Sequence, residues 1–306
     1  MFKNVLVGID GSSNARDAVA LASRLTDSDG KLTMAHVRPG ELHPLHAITP
    51  GLLAEEHQAS LQLLKRERAA AADVDVDVDA NLLSVVAASP GSGLHRQAEE
   101  QHADLIVVGS CSRSAFGRAM IGDDTRAALN GAPCAVAIAT RGYAEHPVPI
   151  AKVGVAYNSS PESRAALEIA RRVAARTRAD VHLLEVVSIP TYAYSGMMPP
   201  MVGESIDAML AHARARLAEI HDVQARAVYG LSGEELAAFG EEVDILVVGS
   251  RSHGPLRRLV LGSTSDYLER HARCSLLVLP RVAVAADEEE TAREHARSDT
   301  PAASTV

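Results

Sequence analysis

Continuous apolar runs alternate with amphipathic stretches along most of the chain. The runs lie near residues 4–9, 32–37, 74–86, 104–109 and 134–139, and then near 152–157, 180–187, 223–229, 244–249 and 274–279. Runs such as Leu105–Val108 are typical of strands buried on both faces, which occur in parallel sheets covered by helices. The Asp-Val alternation at 73–79 indicates instead an edge strand with one solvated face. The pattern therefore predicts an α/β fold in which strands and helices alternate.

The stretches between the strands have the period of helices. Two of them carry a matching apolar stripe, formed by Ala18, Leu21, Ala22 and Leu25 and by Ala166, Ile169, Ala170 and Val173. Residues spaced in this way share one helix face, which packs on the sheet. Ser12 or Ser13 can cap the first of these helices, and Ser160 followed by Pro161 suits the start of the second.

The second half of the chain repeats the first. DLIVVGS at Asp104–Ser110 returns as DILVVGS at Asp244–Ser250, 140 residues later, whereas the opening strands and the first helices match at an offset of 148 residues. The eight extra residues of the first repeat are expected within 39–51. A long repeat of this kind indicates two copies of one structural unit.

We therefore predict two tandem, doubly wound, five-stranded parallel-sheet domains. The first repeat spans 1–141, a linker spans 142–150, and the second repeat spans 151–282. Residues 283–306 form an acidic tail without apolar periodicity, for which we predict disorder.

Composition excludes several classes of function. The 306 residues are 47% hydrophobic and carry 30 Lys and Arg against 39 Asp and Glu, a net charge of −9, which argues against nucleic acid as a partner. No apolar run is long enough to span a membrane, and the opening run is too short for a signal peptide. The three cysteines form no Cys-x-x-Cys pair, and Cys134 and Cys274 lie in apolar runs that indicate core packing. We expect a cytoplasmic protein with no membrane partner.

The loops after the first and fourth strands of each repeat are the candidate ligand sites, because ligands bind beyond the carboxyl ends of strands in such sheets. In the second repeat, Gly249, Gly254 and Gly262 can let a backbone approach a ligand. Gly262 is followed by hydroxyl residues at a predicted helix start, which is typical of an anion site. A Walker A sequence is absent, and no Gly-x-Gly-x-x-Gly follows either first strand.

The repeat, the Val-Val-Gly-Ser strand and the glycine spacing together resemble the universal stress protein family over residues 1–282. The family fingerprint is Gly-x2-Gly-x9-Gly followed by Ser or Thr, with Asp at the end of the first strand. The resemblance implies Rossmann-like domains of the adenine nucleotide alpha hydrolase type. It also implies an internal pseudo-dimer through the last strands, 134–139 and 274–279, and it leaves a homodimer open.

The resemblance implies a site for ATP, with or without Mg²⁺, mainly in the second repeat. Its candidate residues are Asn158, Val186, Gly249, Arg251, Ser252, Gly254, Gly262, Ser263, Thr264 and Ser265. Val186 is expected beside adenine, and the glycine loop, residues 249–262, beside the phosphates. Asn158 stands in place of the family's Asp, keeping an acceptor and adding a donor. Ser252 stands in place of the second glycine, and Gly254 relieves the crowding.

The first repeat departs from the pattern in another place. Asp10 and Gly109 match the family, but Ser112 replaces the second glycine and Asp123 and Asp124 follow the last one. Two carboxylates at a helix N-terminus satisfy its N–H groups and repel a phosphate. We expect that the first repeat does not hold a triphosphate there.

The resulting hypothesis is an ATP-binding regulatory protein of the bacterial stress response that changes how it meets a protein partner. We expect no enzyme activity, or at most very slow ATP hydrolysis. The alternative is a nucleotide-independent protein interaction module whose ATP sites have decayed. No catalytic residue is predicted. No metal site is predicted either, because His43 and His46 would suit a metal only if their loop were helical and a third ligand came from elsewhere.

Overall fold

The computed structural model describes residues 1–40, 52–72, 80–110, 123–145, 149–188, 202–250, 259 and 262–280. Within these ranges the first repeat contains β1 Phe2–Gly8, α1 Ser13–Leu25, β2 Thr26–Pro39, α2 Leu52–Ala72, β3 Ala80–Ala87, α3 Pro90–Glu100, β4 Leu105–Gly109, α4 Asp123–Leu129 and β5 Ala135–Ala139. The second contains β6 Lys152–Ala156, α5 Pro161–Thr177, β7 Asp180–Val187, α6 Val202–Ala218, β8 Gln224–Tyr229, α7 Ser232–Phe239, β9 Ile245–Gly249, α8 Ser263–His271 and β10 Ser275–Leu279.

The described strands form one sheet in the order β3-β2-β1-β4-β5-β10-β9-β6-β7-β8. Within each repeat every pairing is parallel, and the two halves join where β5 and β10 pair antiparallel, with Ala137 opposite Leu277. This order confirms two doubly wound, five-stranded parallel sheets. It also confirms the predicted pairing of the repeats through their last strands.

Two apolar layers cover the opposite faces of this sheet. Alternate strand residues explain the division, because Val107 packs in the layer of α1, α2, α5 and α6 whereas Ile106 packs in the layer of α3, α4, α7 and α8. Both side chains are fully buried. The continuous apolar runs are therefore those of strands covered on both sides.

The predicted helix starts are confirmed. The Ser12 hydroxyl accepts a hydrogen bond from the Ala15 N–H at the start of α1. Ser160 caps α5 in the same way, and Pro161 occupies the first turn. Of the two apolar stripes, only Ile169 is partly exposed.

Strand β2 begins earlier than the sequence pattern predicts. Thr26 pairs with Phe2, the register then shifts, and regular pairing resumes at Lys31. The N-terminal ammonium contacts the Asp27 carboxylate at 2.6 Å, which holds this polar segment beside β1. Periodicity missed these residues because they carry little apolar signal. Strand β3 is an edge strand, as predicted. Three other segments with predictions lie outside the described residues, namely 73–79, most of 39–51 and the tail.

The start of the linker is fastened to α1 by a buried carboxylate. Asp17 is 2% exposed and accepts hydrogen bonds from the N–H groups of Gly142, at 2.9 Å, and Ala144, at 2.8 Å. Burial raises the pKa of Asp17, and the two hydrogen bonds oppose that shift. The exact ends of domains and linker remain predictions.

Candidate functional site

A cavity of about 810 Å³ lies at the carboxyl ends of β6, β7 and β9. The chain passes from β6 to β7 and β8 on one side and returns to β9 on the other, so the cavity lies where the strand order reverses. This is the position at which open α/β sheets bind ligands. The sequence analysis predicted a site at these loops.

One wall of the cavity is apolar. It is lined by Leu184 and Val186 of β7, Leu236 of α7 and Val248 of β9. Leu184, Leu236 and Val248 are buried, whereas Val186 is half-buried. Such a surface can pack against a flat, apolar ring system. Val186 therefore lies in the part of the cavity suited to a base.

A second part of the cavity lining is the N-terminal turn of α8. Gly262 is the N-cap and has no side chain to cap the helix, and Ser263, Thr264 and Ser265 all line the cavity. A helix N-terminus carries a partial positive charge and directs N–H groups outward. The turn can therefore hold an anionic group.

Asn158 lines the cavity and also shapes the loop after β6. Its side-chain oxygen accepts a hydrogen bond from the Ser160 N–H at 3.2 Å. In the first repeat, the Asp10 carboxylate accepts from both the N–H and the hydroxyl of Ser12, at 2.9 and 2.6 Å. Asp and Asn favour this turn for the same local reason. The Asp-to-Asn difference thus preserves the turn while changing what the side chain offers to a ligand.

The first glycine of the motif is required by helix packing. A Cβ added to Gly249 would lie 2.8 Å from the Cβ of Glu162 at the start of α5. A Cβ added to Gly109 would lie 2.2 Å from the backbone oxygen of Asn14 in α1. The sequence analysis assigned Gly249 to the approach of a ligand. These distances show that Gly249, and Gly109 at the matching position of the first repeat, also allow a helix to pack on the strand end.

Glu162 and Ser250 are among the cavity residues that the sequence analysis missed. Glu162 is 7% exposed and lies in the first turn of α5. Ser250 is 5% exposed, and its hydroxyl has no hydrogen-bond partner within the part of the chain that the structure describes. The signal for Glu162 was its place one helical turn after Asn158, in a loop already singled out. Buried polar groups normally have partners, so both residues are candidates for ligand contact.

The electrostatic balance of the cavity is set by Glu162. Among the described lining residues it is the one acidic side chain, and none of them is basic. Arg251, Ser252 and Gly254 lie outside the described residues, as do Ser112 and Gly122. An anionic ligand therefore meets the α8 N-terminus on one side and a carboxylate on another.

The corresponding region of the first repeat is built differently. Strand register places Val37 where Val186 lies in the second repeat. A Cβ added to Gly93 of α3 would lie 2.6 Å from a Val37 methyl group, so α3 approaches β2 closely there. Asp123 is the first residue of α4, as predicted. Asp10 and Gly109 lie at the matching strand ends.

A polar cluster occupies the other face of β2 in the first repeat. His36 Nδ1 lies 2.8 Å from the Ser60 hydroxyl of α2, and the buried Arg38 donates to the Ser84 hydroxyl at 3.0 Å. Burial lowers the pKa of His36, nearby Arg38 lowers it further, and Asp10 opposes the shift. The cluster lies against α2, on the face of β2 opposite to Val37.

The remaining cysteine thiols and potential metal ligands form no reactive or metal-binding cluster among the described residues. Cys134 and Cys274 are buried, as predicted, and burial raises the pKa of each thiol to about 12. No three potential metal ligands cluster among the described residues, and His43 and His46 lie outside them. None of the described helices has the length and apolar character needed to cross a membrane.

The strand order, the paired repeats and the cavity define a tandem, doubly wound α/β protein with one well-described candidate site. The model of the universal stress protein family matches residues 1–140 and 149–280, and the chain belongs to that family. This match agrees with the resemblance found in the sequence, which covered residues 1–282.

Individual relatives agree with this assignment. One universal stress protein of Mycobacterium tuberculosis is 28% identical over 212 residues, covering 63% of this chain and 69% of the relative. A solved universal stress protein from Archaeoglobus fulgidus is 19% identical with a TM-score of 0.61, covering 91% of this chain and 98% of its own. Another from Pseudomonas aeruginosa is 18% identical with a TM-score of 0.59, covering 95% and 98%. At these identities the solved structures support the fold alone.

Proposed function

We propose that this protein is an ATP-binding regulatory protein of the bacterial stress response and that it binds the nucleotide mainly through its second repeat. The observation that carries the proposal is the cavity between an apolar wall and the glycine-capped start of α8. Its volume of about 810 Å³ falls within the range of about 300–1,000 Å³ typical of small-molecule sites.

In this proposal the cavity divides its contacts between the two ends of ATP. Val186 and the neighbouring apolar side chains pack on adenine, and Asn158 hydrogen-bonds to the base or ribose. The first turn of α8, from Gly262 to Ser265, holds phosphate oxygens through N–H groups and hydroxyls. Gly249 contributes by letting α5 approach β9, which brings Asn158 and Ser263 to the same cavity.

A Mg²⁺ ion bound with ATP would be held by Glu162 and Ser250, which both line the cavity. Glu162 and Ser250 supply a carboxylate and a hydroxyl, which are the oxygen ligands that Mg²⁺ prefers together with phosphate and water. The ion would offset the repulsion between Glu162 and a phosphate. When bound, it supplies charge neutralisation, while the described side chains supply position and burial.

Regulation in this proposal follows from binding, without turnover. Contact of ATP with the glycine loop changes the surface offered to a protein partner. The partner therefore binds the ATP-bound and ATP-free forms with different affinity. At most, ATP is hydrolysed very slowly. We place the protein in the cytoplasm, acting as the internal pseudo-dimer or as a homodimer of it.

The alternative is a nucleotide-independent interaction module. Two observations favour it, namely the Glu162 carboxylate inside the cavity and Ser252 at the second glycine position. Both oppose phosphate binding unless a cation or a neighbouring cationic side chain offsets them. ATP affinity separates the two proposals.

The test is a calorimetric titration of ATP, with and without Mg²⁺, into the wild type and two matched variants. Asn158→Ala and Asp10→Ala remove equivalent turn hydrogen bonds, one in each repeat. The proposal predicts one site per chain and weaker affinity in Asn158→Ala alone. Weaker affinity in Asp10→Ala alone would assign ATP to the first repeat, and no heat of binding in the wild type would favour the interaction module.

A further inference from the structure

The glycine loop of the second repeat is bonded to the first repeat. The Leu259 N–H donates to the Ala132 carbonyl at 3.0 Å, and the Leu259 carbonyl accepts from the Gly131 N–H at 2.9 Å. The Leu259 side chain is fully buried in the apolar layer that also holds residues of α4. Two backbone hydrogen bonds, one in each direction, and the buried leucine side chain therefore form a bridge that fixes Leu259 to the turn between α4 and β5.

A second contact holds the helix that follows the loop. Arg126 of α4 forms an ion pair with Asp266 in the first turn of α8. Leu259 lies three residues before the N-cap Gly262, and Asp266 lies four residues after it. The first repeat thus contacts the chain on both sides of the α8 N-terminus, which lines the cavity.

We propose that the turn at Asn130–Ala132, the positioning turn, holds Leu259 and the start of α8 in the geometry that binds ATP. The inference rests on the proposed function, because it assigns the positioning turn to the ATP site. The second repeat then depends on the first for full affinity, although the first repeat does not touch the nucleotide. By linkage, bound ATP in turn stabilises the seam between the repeats.

Gly131 allows this contact to be tested without a steric clash. Its φ of +89° disfavours residues with a Cβ, but an added Cβ would meet only His95, at 3.6 Å. Gly131→Ala therefore acts by changing the turn and moving the N–H that bonds to Leu259. Gly131→Asn is the conservative variant, because Asn tolerates positive φ better than other residues with a Cβ.

Gly142 provides the matched control. Its φ is +79°, an added Cβ would meet nothing within 4 Å, and its N–H donates one hydrogen bond, to Asp17. Gly142→Ala thus introduces the same backbone conflict and loosens one backbone hydrogen bond in the linker. A general loss of stability affects both variants, whereas a loss of positioning affects Gly131→Ala alone.

Trypsin cleavage measures how readily Leu259 leaves the positioning turn, and the assay needs no nucleotide. The peptide bond after Arg258 contains the Leu259 N–H that donates to Ala132. Cleavage there requires this segment to leave the bridge, so its rate reports local opening. Mass spectrometry of the fragments separates this cut from cuts elsewhere, and calorimetry measures ATP affinity on the same full-length proteins.

The proposal predicts that Gly131→Ala is cut faster after Arg258 and binds ATP about five- to tenfold more weakly, comparable to losing one net hydrogen bond. Gly131→Asn falls between it and the wild type, and Gly142→Ala matches the wild type in both measurements. Equal cleavage in Gly131→Ala and Gly142→Ala would overturn the proposal. Faster cleavage with unchanged ATP affinity would also overturn it, because the bridge would then exist without positioning the site.

Failure of the proposed function gives a different pattern. A wild type that binds no ATP refutes the proposed function directly. The contact between Leu259 and the positioning turn is then tested by cleavage alone. Faster cutting in Gly131→Ala than in Gly142→Ala supports the bridge, and equal cutting overturns it.

Discussion

Replacing Gly249 by alanine is predicted to destabilise the protein even without a ligand. The added Cβ would lie 2.8 Å from the Glu162 Cβ, whereas carbon atoms in contact are normally about 3.5–4.0 Å apart. The start of α5 and the end of β9 must therefore separate by about 0.7–1.2 Å, judged from that contact distance. Overpacking of this kind costs about 1–3 kcal/mol.

The net loss is smaller than the clash alone, because alanine also reduces the entropy of the unfolded chain. That term offsets about 0.4–1 kcal/mol, so the middles of the two ranges leave a net loss of about 1.3 kcal/mol for Gly249→Ala. In Gly109→Ala the added Cβ meets the backbone of Asn14, at 2.2 Å from its oxygen. Backbone atoms yield less than a side chain, so this variant is expected to lose about 3 kcal/mol or more.

Urea unfolding of the nucleotide-free proteins, followed by circular dichroism, measures both losses. The expected order of stability is wild type, then Gly249→Ala, then Gly109→Ala. If Gly249 served only the approach of a ligand, Gly249→Ala would unfold at the wild-type urea concentration and lose only ATP affinity. That result, or the reverse order of the two variants, would refute the packing argument.

Three further predictions concern pH, thiol reactivity and Mg²⁺. Burial lowers the pKa of His36 from 6.5, so the unfolded chain binds a proton more readily; the free energy of unfolding should fall as pH drops through 6.5, and His36→Gln should flatten that slope in urea titrations at several pH values. An unchanged slope would contradict the assignment. Burial raises the pKa of Cys134 and Cys274 to about 12. Once the third cysteine of the chain is replaced, in Cys111→Ser, the native protein should therefore release no colour with Ellman's reagent, and reaction of even one thiol would contradict the burial of these two. If Glu162 faces a Mg²⁺ ion, Glu162→Gln should reduce the gain in ATP affinity from Mg²⁺ by about tenfold or more, the scale of losing a group that supports a metal; an unchanged gain in calorimetry would exclude that role.

The architecture was predictable because its signals are local. Ser12 and Ser160 marked the two helix starts, and the duplicated Val-Val-Gly-Ser strands identified the repeats. The pairing of β5 with β10 followed from the family resemblance, whereas its antiparallel direction was seen only in the structure. The early start of β2 at Thr26 was missed because pairing with β1, and not apolar periodicity, holds that polar segment in place.

The candidate site was predictable only in part. The first turn of α8 was predicted from the hydroxyl residues after Gly262, whereas Val186 and Asn158 were predicted from the family resemblance, and all of them line the cavity. The packing role of Gly249 was missed because it depends on how closely α5 crosses β9, which no local pattern reveals. The bridge from Leu259 to the first repeat was missed because it joins residues more than a hundred positions apart.

The central claim is that the second repeat holds ATP at the start of α8. The most direct measurement is to denature the purified protein, remove it and quantify the released nucleotide by chromatography, in the wild type and in Ser263→Asp. The variant places a carboxylate where Asp123 stands in the first repeat and should repel a phosphate. About one nucleotide per chain in the wild type and none in the variant is the predicted result, given one anion site at this helix start. Equal nucleotide in both proteins, or none in either together with a blank calorimetric titration of ATP and Mg²⁺, would contradict the account.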